Sequence, residues 1–393
     1  MPTRTEFIRT TAEKVLRTGD EWKIDRTQDK LSAFSLSLFC LVAKIMNRKK
    51  IVTFGEIMLR LTPPDNLRFN QTKLFRASYG GSEANVAVSL ANYGLPSEFI
   101  TCVPDNRIAE ACLDDLHSYG VRTDHVLRQG PRLGLYYMEE AAAMRSSQVV
   151  YDRADSSFDA LQPGMIDWET IFRDAAWFHW SGISAAVSAS TAEVCAEAIA
   201  AARKAGLIVS CDINYRKNLW KYGKTPQEVL PPLMDQCDFF FGTDDEYEKI
   251  LGIPLPKFEA RDAAYQPDVA GYDAASRQVA ERFPHCRGIV FGLRSVLSAN
   301  HHLISGTLYT NGQLFTSRVY DIDCVVDCVG VGDAFVGGLI YGLVHHADDM
   351  QFALDFGTAA CAIKNTVPGD YSQFSAEETA QLALGPVNGR IAR

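Results

Sequence analysis

From residue 51 onward, short apolar runs alternate with longer segments whose apolar positions recur every three or four residues. Residues 51–54 read as a buried strand stopped by Gly55. Residues 82–93 carry Ala84, Ala87, Val88, Leu90 and Ala91 on one helical face, and Gly94 ends the pattern. The alternation continues with a strand over 99–103, a helix over 109–119 closed by Gly120, a strand over 177–180, an Ala-rich helix over 191–205 closed by Gly206, and a strand over 207–211. A strand over 239–241, a helix from Asp244, a strand over 288–291 and a hairpin over 307–319 with Asn311-Gly312 at its tip come next. Helices after Gly332 and over 352–364 close the series. Strands separated by helices predict an α/β fold with a mainly parallel sheet covered on both faces. Two stretches break the rhythm: 58–79 and 133–153 hold strand patterns with no helix between them. They predict a small antiparallel sheet projecting over the main one as a lid.

The first 49 residues do not share this pattern. A charge-free apolar run covers 31–43, which is 13 residues, where a membrane-spanning helix needs about 20. Met46 opens a short basic lead into the first strand, so 1–49 is expected to be an N-terminal extension and 50–393 one domain. No stable membrane partner is expected. The composition is that of a globular protein, with 47% hydrophobic and 22% charged residues. The formal net charge of −9 speaks against a nucleic-acid partner. Ten cysteines form no C-x-x-C pair and many lie in apolar runs, as expected of reduced thiols in the cytoplasm.

Several nucleotide-site motifs are missing. There is no GxxxxGK[ST] loop, no GxGxxG after the first strand and no GxSxG elbow. The informative segment is Gly330-Val331-Gly332-Asp333, followed by a helical pattern. Its glycines allow a tight turn that exposes consecutive backbone N–H groups at a helix N-terminus, an arrangement suited to a phosphoryl group. Asp333 beside it is placed to accept a proton from an attacking hydroxyl, and the helix N-terminus favours its ionised form. The same residues also fit a glycine-rich helix start capped by Asp.

Two signatures together resemble the ribokinase-like (PfkB) sugar kinases. Gly330-Val331-Gly332-Asp333 is similar to the family's G-A-G-D, with Val in place of Ala. Tyr79-Gly80-Gly81-Ser82-Glu83-Ala84-Asn85 is similar to its Gly-Gly turn against the sugar. The resemblance spans about 50–385. It implies a three-layer α/β sandwich with a mainly parallel central sheet and a small antiparallel β lid. It also implies ATP and Mg²⁺ as cofactors, and transfer of a phosphoryl group to a sugar hydroxyl with Asp333 as base and the N–H groups of Gly330, Val331 and Gly332 around the phosphate. Within the family, the segments Gly55-Glu56, Gly134-Leu135-Tyr136, Tyr151-Asp152-Arg153 and Asp212-Ile213-Asn214-Tyr215-Arg216 resemble the 2-keto-3-deoxygluconate kinases. By that resemblance Gly81, Tyr136, Tyr151, Arg153, Arg216, Asp333 and Asp370 line a ketoacid pocket. An arginine suits the carboxylate of such a substrate, because guanidinium pairs with it bidentately and stays charged. ATP is assigned to Asn214, Gly292, Arg294, Ser295, Gly330, Gly332 and Thr358. Glu246 matches the acid of an N-x-x-E motif linked to Mg²⁺, with Thr243 in place of the Asn. A fructokinase-like neutral-sugar kinase and a non-catalytic sugar-binding module remain as alternatives. A homo-oligomer formed through the lid is expected.

Overall fold

The computed structural model describes residues 50–385; the expectations for 1–49 and 386–393 lie outside them. A nine-stranded sheet forms the centre. Its parallel part runs β4 (Ser97–Ile100), β1 (Lys50–Phe54), β9 (Ala175–Ser181), β10 (Ile208–Asp212), β11 (Phe239–Gly242) and β12 (Gly288–Ser298). β13 (His301–Thr310) pairs antiparallel with β12, and β14 (Gln313–Thr316) and β15 (Tyr320–Ile322) pair antiparallel with β13. Every residue of β1 and β9 is buried, as continuous apolar runs require of strands covered on both faces. The predicted hairpin forms as β13–β14, with Asn311 and Gly312 both at positive φ, the backbone that a two-residue turn of this hand needs.

One face of the sheet buries a large cluster that includes Phe54, Phe178, Trp180 and Phe240 against the helices Ala189–Lys204 and Val269–Arg282. The other face is covered by the helices Ser82–Asn92, Val331–His345 and Met350–Lys364, the last two packed on each other. This makes three layers. A short pair, β5 (Cys102–Val103) with β6 (Leu127–Arg128), lies apart from the large sheet.

The second sheet has the order β3 (Arg76–Gly80), β2 (Met58–Thr62), β7 (Gly134–Glu139), β8 (Gln148–Asp152). Its outer pairings are antiparallel, as expected, but the central β2–β7 pairing is parallel. Each predicted stretch folds as its own hairpin, and the two outgoing strands meet side by side. The nine cysteines among the described residues are all free. No helix among the described residues is long and apolar enough to cross a membrane.

Candidate active site

A cleft of about 500 Å³ opens where the carboxyl ends of β10 and β11 and the middle of β12 meet the start of the helix Val331–His345, with residues of the small sheet also lining it. Ligand sites of parallel sheets open at such strand ends. Gly330 sits before the helix with φ +77°, and no side chain caps the helix. A Cβ on Gly330 would overlap the backbone carbonyl oxygen of Asp370, so only glycine fits both the angle and the contact. The N–H groups of Val331, Gly332 and Asp333 therefore form the first turn without a side-chain cap, an arrangement that suits an anion.

Asp333 is partly buried in this turn. Its Oδ1 accepts from Ser82 Oγ at 2.8 Å and its Oδ2 from Asn85 Nδ2 at 2.6 Å. Asn214 Nδ2 donates to Ser82 Oγ at 2.9 Å, so the hydroxyl is oriented toward Asp333. Asn85 Oδ1 accepts from the N–H of Gly81 at 3.3 Å, which fixes the amide's orientation. Gly81 is needed for a close approach: a Cβ there would overlap the carbonyl oxygen of Glu56. Burial raises the Asp333 carboxyl above the ordinary carboxylate range, and the bonds from Asn85 and Ser82 offset this only in part. The helix N-terminus does not reverse that direction.

On the opposite side Tyr136 donates from its hydroxyl to Asp370 Oδ2 at 2.5 Å, while Asp370 Oδ1 accepts from Arg60 Nη1 at 3.0 Å. Tyr151, directly opposite Tyr136 on the neighbouring strand β8, packs at a tilt against it with ring centroids 6.1 Å apart and also lines the cleft. Arg216 lines it with its side chain 44% exposed; one guanidinium nitrogen donates to the carbonyl of Tyr215 at 3.1 Å. Gly292 and Arg294 also line the cleft.

Arg153, Ser295 and Thr358, expected in the site, do not line the cleft. Arg153 is buried in an ion pair with Glu56, donating from Nε to Oε2 at 2.7 Å. Ser295 follows Arg294 on an extended strand, where successive side chains take opposite faces. Thr358 is buried inside its helix and donates back to the carbonyl of Leu354 at 2.9 Å. Cys361, one turn further along, lines the cleft instead. Glu246 lines it, but its carboxylate is in use locally: Oε1 accepts from the N–H of Tyr215 at 2.8 Å, and Oε2 from the N–H and hydroxyl of Thr243. Thr243 thus serves as the helix cap.

A model of the pfkB family of carbohydrate kinases matches residues 48–275 and 305–377. The chain belongs to this family. It is 28% identical over 336 residues to a 2-dehydro-3-deoxygalactonokinase of Haloferax volcanii, covering 86% of this chain and 97% of that one. Among solved structures, a 2-dehydro-3-deoxygluconokinase of Thermotoga maritima is 39% identical, with a TM-score of 0.80 over 86% of this chain and 99% of that one. A putative 2-keto-3-deoxygluconate kinase of Enterococcus faecalis is 25% identical, with a TM-score of 0.76 over 88% and 99%.

For a carbohydrate kinase of this fold, the sequence reading passed over four polar residues around the cleft. Ser82 and Asn85 lie within the recognised Gly-Gly signature, one and four residues after Gly81, so the start of that helix was a usable signal. Asp212 lines the cleft at the end of β10; burial and then the charge of Glu246 push its carboxyl well up. Arg60 is 2% exposed and lies in an apolar strand, where nothing local marks its partners.

Proposed function

We propose that this carbohydrate kinase transfers the γ-phosphoryl group of ATP to the primary hydroxyl of a 2-keto-3-deoxy sugar acid of the gluconate type. The observation that carries the reading is the joint placement of Asp333 and the uncapped N–H groups of Val331 to Asp333 at one end of one cleft. Asp333 takes the proton of the attacking hydroxyl, with its two oxygens held by Ser82 and Asn85. The N–H groups that follow Gly330 receive the charge on the phosphoryl oxygens. In a reaction of this kind positioning and charge neutralisation supply most of the acceleration. Gly81, Tyr136, Tyr151, Arg216 and Asp370 surround the sugar, with Arg216 facing the carboxylate. Asn214, Gly292 and Arg294 serve the nucleotide end. Mg²⁺ takes one or two carboxylates together with substrate phosphates, and Asp212 and Glu246 would hold it, Glu246 by sharing oxygens that already accept from Tyr215 and Thr243. When bound, Mg²⁺ neutralises phosphate charge.

Names of similar proteins support a keto-deoxy acid as substrate, and so does the half-exposed guanidinium of Arg216 in the cleft, which lies 3.9 Å from Glu246. A neutral-sugar kinase is the second reading. One observation favours it: the Arg153 guanidinium is paired with Glu56, and that of Arg216 lies 3.9 Å from Glu246. A coupled ADP-release assay with Mg²⁺ and ATP separates the two, comparing 2-keto-3-deoxygluconate with fructose and ribose. Preference for the ketoacid supports the proposal. Preference for fructose discards the carboxylate pocket but keeps Asp333. No turnover on any of them would leave a sugar-binding module.

A further inference from the structure

Strand β2 turns Met58, Arg60 and Thr62 inward and leaves Leu59 and Leu61 only half-buried. A charged side chain therefore occupies a core position of the small sheet. Each arm of the Arg60 guanidinium has a partner. Nε donates to Thr62 Oγ1 at 2.9 Å, Nη1 to Asp370 Oδ1 at 3.0 Å, and Nη2 pairs with Asp327 Oδ2 at 2.8 Å. Asp327 and Asp370 are both buried. Asp327 joins two loops: its Oδ1 accepts from the N–H of Val329, next to the Gly330 turn, and its Oδ2 from the N–H of Gly369, both at 3.0 Å. Asp370 follows, and its carbonyl rests on the Cα of Gly330.

We propose that Arg60 is a positioning residue for phosphoryl transfer: it ties the small sheet to the two loops that shape the Gly330 turn and hold Asp370. Arg60 touches neither the reacting hydroxyl nor the phosphoryl group in this arrangement; it acts through Asp327 and Asp370. The inference rests on the kinase reading above. Without the guanidinium, two buried carboxylates share one site with no cation bonded to them, and one must protonate or move. Either response shifts the chain at Gly369 and Asp370, which lies directly on the Gly330 turn. The groups facing Asp370 are Arg60 and Tyr136 from the small sheet, Asp327 from the preceding loop, Asp333 and Lys364 from the two helices, and Tyr371 beside it. Burial raises the Asp370 carboxyl, and the charge of Arg60 is the strongest influence holding it down.

The test measures kcat and KM of the full chain for ATP and 2-keto-3-deoxygluconate across the acid and neutral range, for the wild type, Arg60→Met and Arg60→Lys, with melting curves to establish folding. Folded Arg60→Met is expected to lose kcat on the order of 10²-fold, as a displaced reacting geometry does, with little change in KM for ATP. The acid limb of its kcat/KM profile is expected to move to higher pH, and Arg60→Lys to bring both back toward the wild type. A folded Arg60→Met with wild-type kcat and acid limb overturns the inference. So does a loss of kcat with an unmoved acid limb that Lys does not repair, because that is a merely structural role. If Arg60→Met does not fold, Asp327→Asn takes its place: a fall in kcat without a matching rise in KM for ATP supports the inference, and wild-type kcat overturns it. Inactive wild-type protein overturns the kinase reading itself, whereas active wild type with unaffected variants overturns this inference alone.

Discussion

At the scale of single residues, two carboxyls make opposite use of burial. Asp333 must be ionised to accept a proton, yet burial raises its carboxyl. Turnover is therefore expected to fall as pH drops through a value above the ordinary carboxylate range, which a kcat–pH profile measures. Asp333→Asn removes the base while its amide can still accept from Asn85 and donate to Ser82. Substrate and ATP binding by calorimetry should persist, and kcat should fall by about 10²–10⁴-fold; an unchanged kcat would refute the assignment. Glu83 works in the other direction. It is fully buried, and its Oε1 accepts from the N–H and hydroxyl of Ser181 and from Ser184 Oγ. Its Oε2 has no hydrogen-bond partner among the described residues. Burial raises its carboxyl from 4.5 to about 7. The folded value lies above the unfolded one, so the protonated form favours folding. That contribution is full below pH 4.5 and is lost as pH rises through about 7. Glu83→Gln keeps the acceptor and removes the charge. It should melt higher than the wild type at pH 8, by about 3 kcal/mol in stability, and no higher at pH 4. Equal melting at both pH values would remove the buried charge from the account.

At the scale of elements, the turn before the helix Val331–His345 was legible because its chemistry is local. Gly330, Gly332 and Asp333 sit within four residues, and a positive φ plus a free helix start follow from their types. The same holds for Gly81 to Asn85. What was not legible was long-range pairing. Arg60 and Asp370 are 310 residues apart, and no local pattern joins them. Arg153 reads as a free cation beside two tyrosines until the fold brings Glu56 against it. Strand β2 is inverted in hydrophobicity: the structure turns Arg60 inward and leaves Leu59 and Leu61 half-buried. Gly330→Ala tests the legible part. The methyl group meets both the left-handed backbone and the Asp370 carbonyl. The turn must shift, so kcat is expected to fall on the order of 10²-fold with the melting temperature largely kept. An alanine variant with wild-type kcat would show that the turn tolerates displacement.

At the scale of the molecule, the inverted strand has a consequence for assembly. Arg60, Tyr136 and Met138 are buried on one face of the small sheet, which leaves Leu59, Leu61, Leu135, Tyr137 and Val150 on the other. Val150 is 53% exposed, and Phe75, packed edge-on to Tyr137, is 40% exposed. Among the described residues the sheet also ends in two unpaired edges, β3 and β8, and every residue of β8 is exposed. An apolar sheet face bounded by open edges is a surface that soluble proteins cover. Polar residues could have been placed at these positions at little cost to the sheet, since they do not face its buried side. We propose that a second copy of the chain covers it, small sheet against small sheet. The same face also carries Glu139 and Asp152, and each is neutralised within its own chain, Glu139 by Arg68 and Asp152 by Arg132. Sedimentation equilibrium of the wild type should then give a dimer or a higher even assembly, and Val150→Lys should shift it toward monomer by placing two like charges in the contact. Monomeric wild type at micromolar concentration would discard the proposal. A monomeric Val150→Lys that keeps wild-type kcat would show that the active site is complete within one chain, because every residue assigned to phosphoryl transfer lies on the buried side of the small sheet or beyond it.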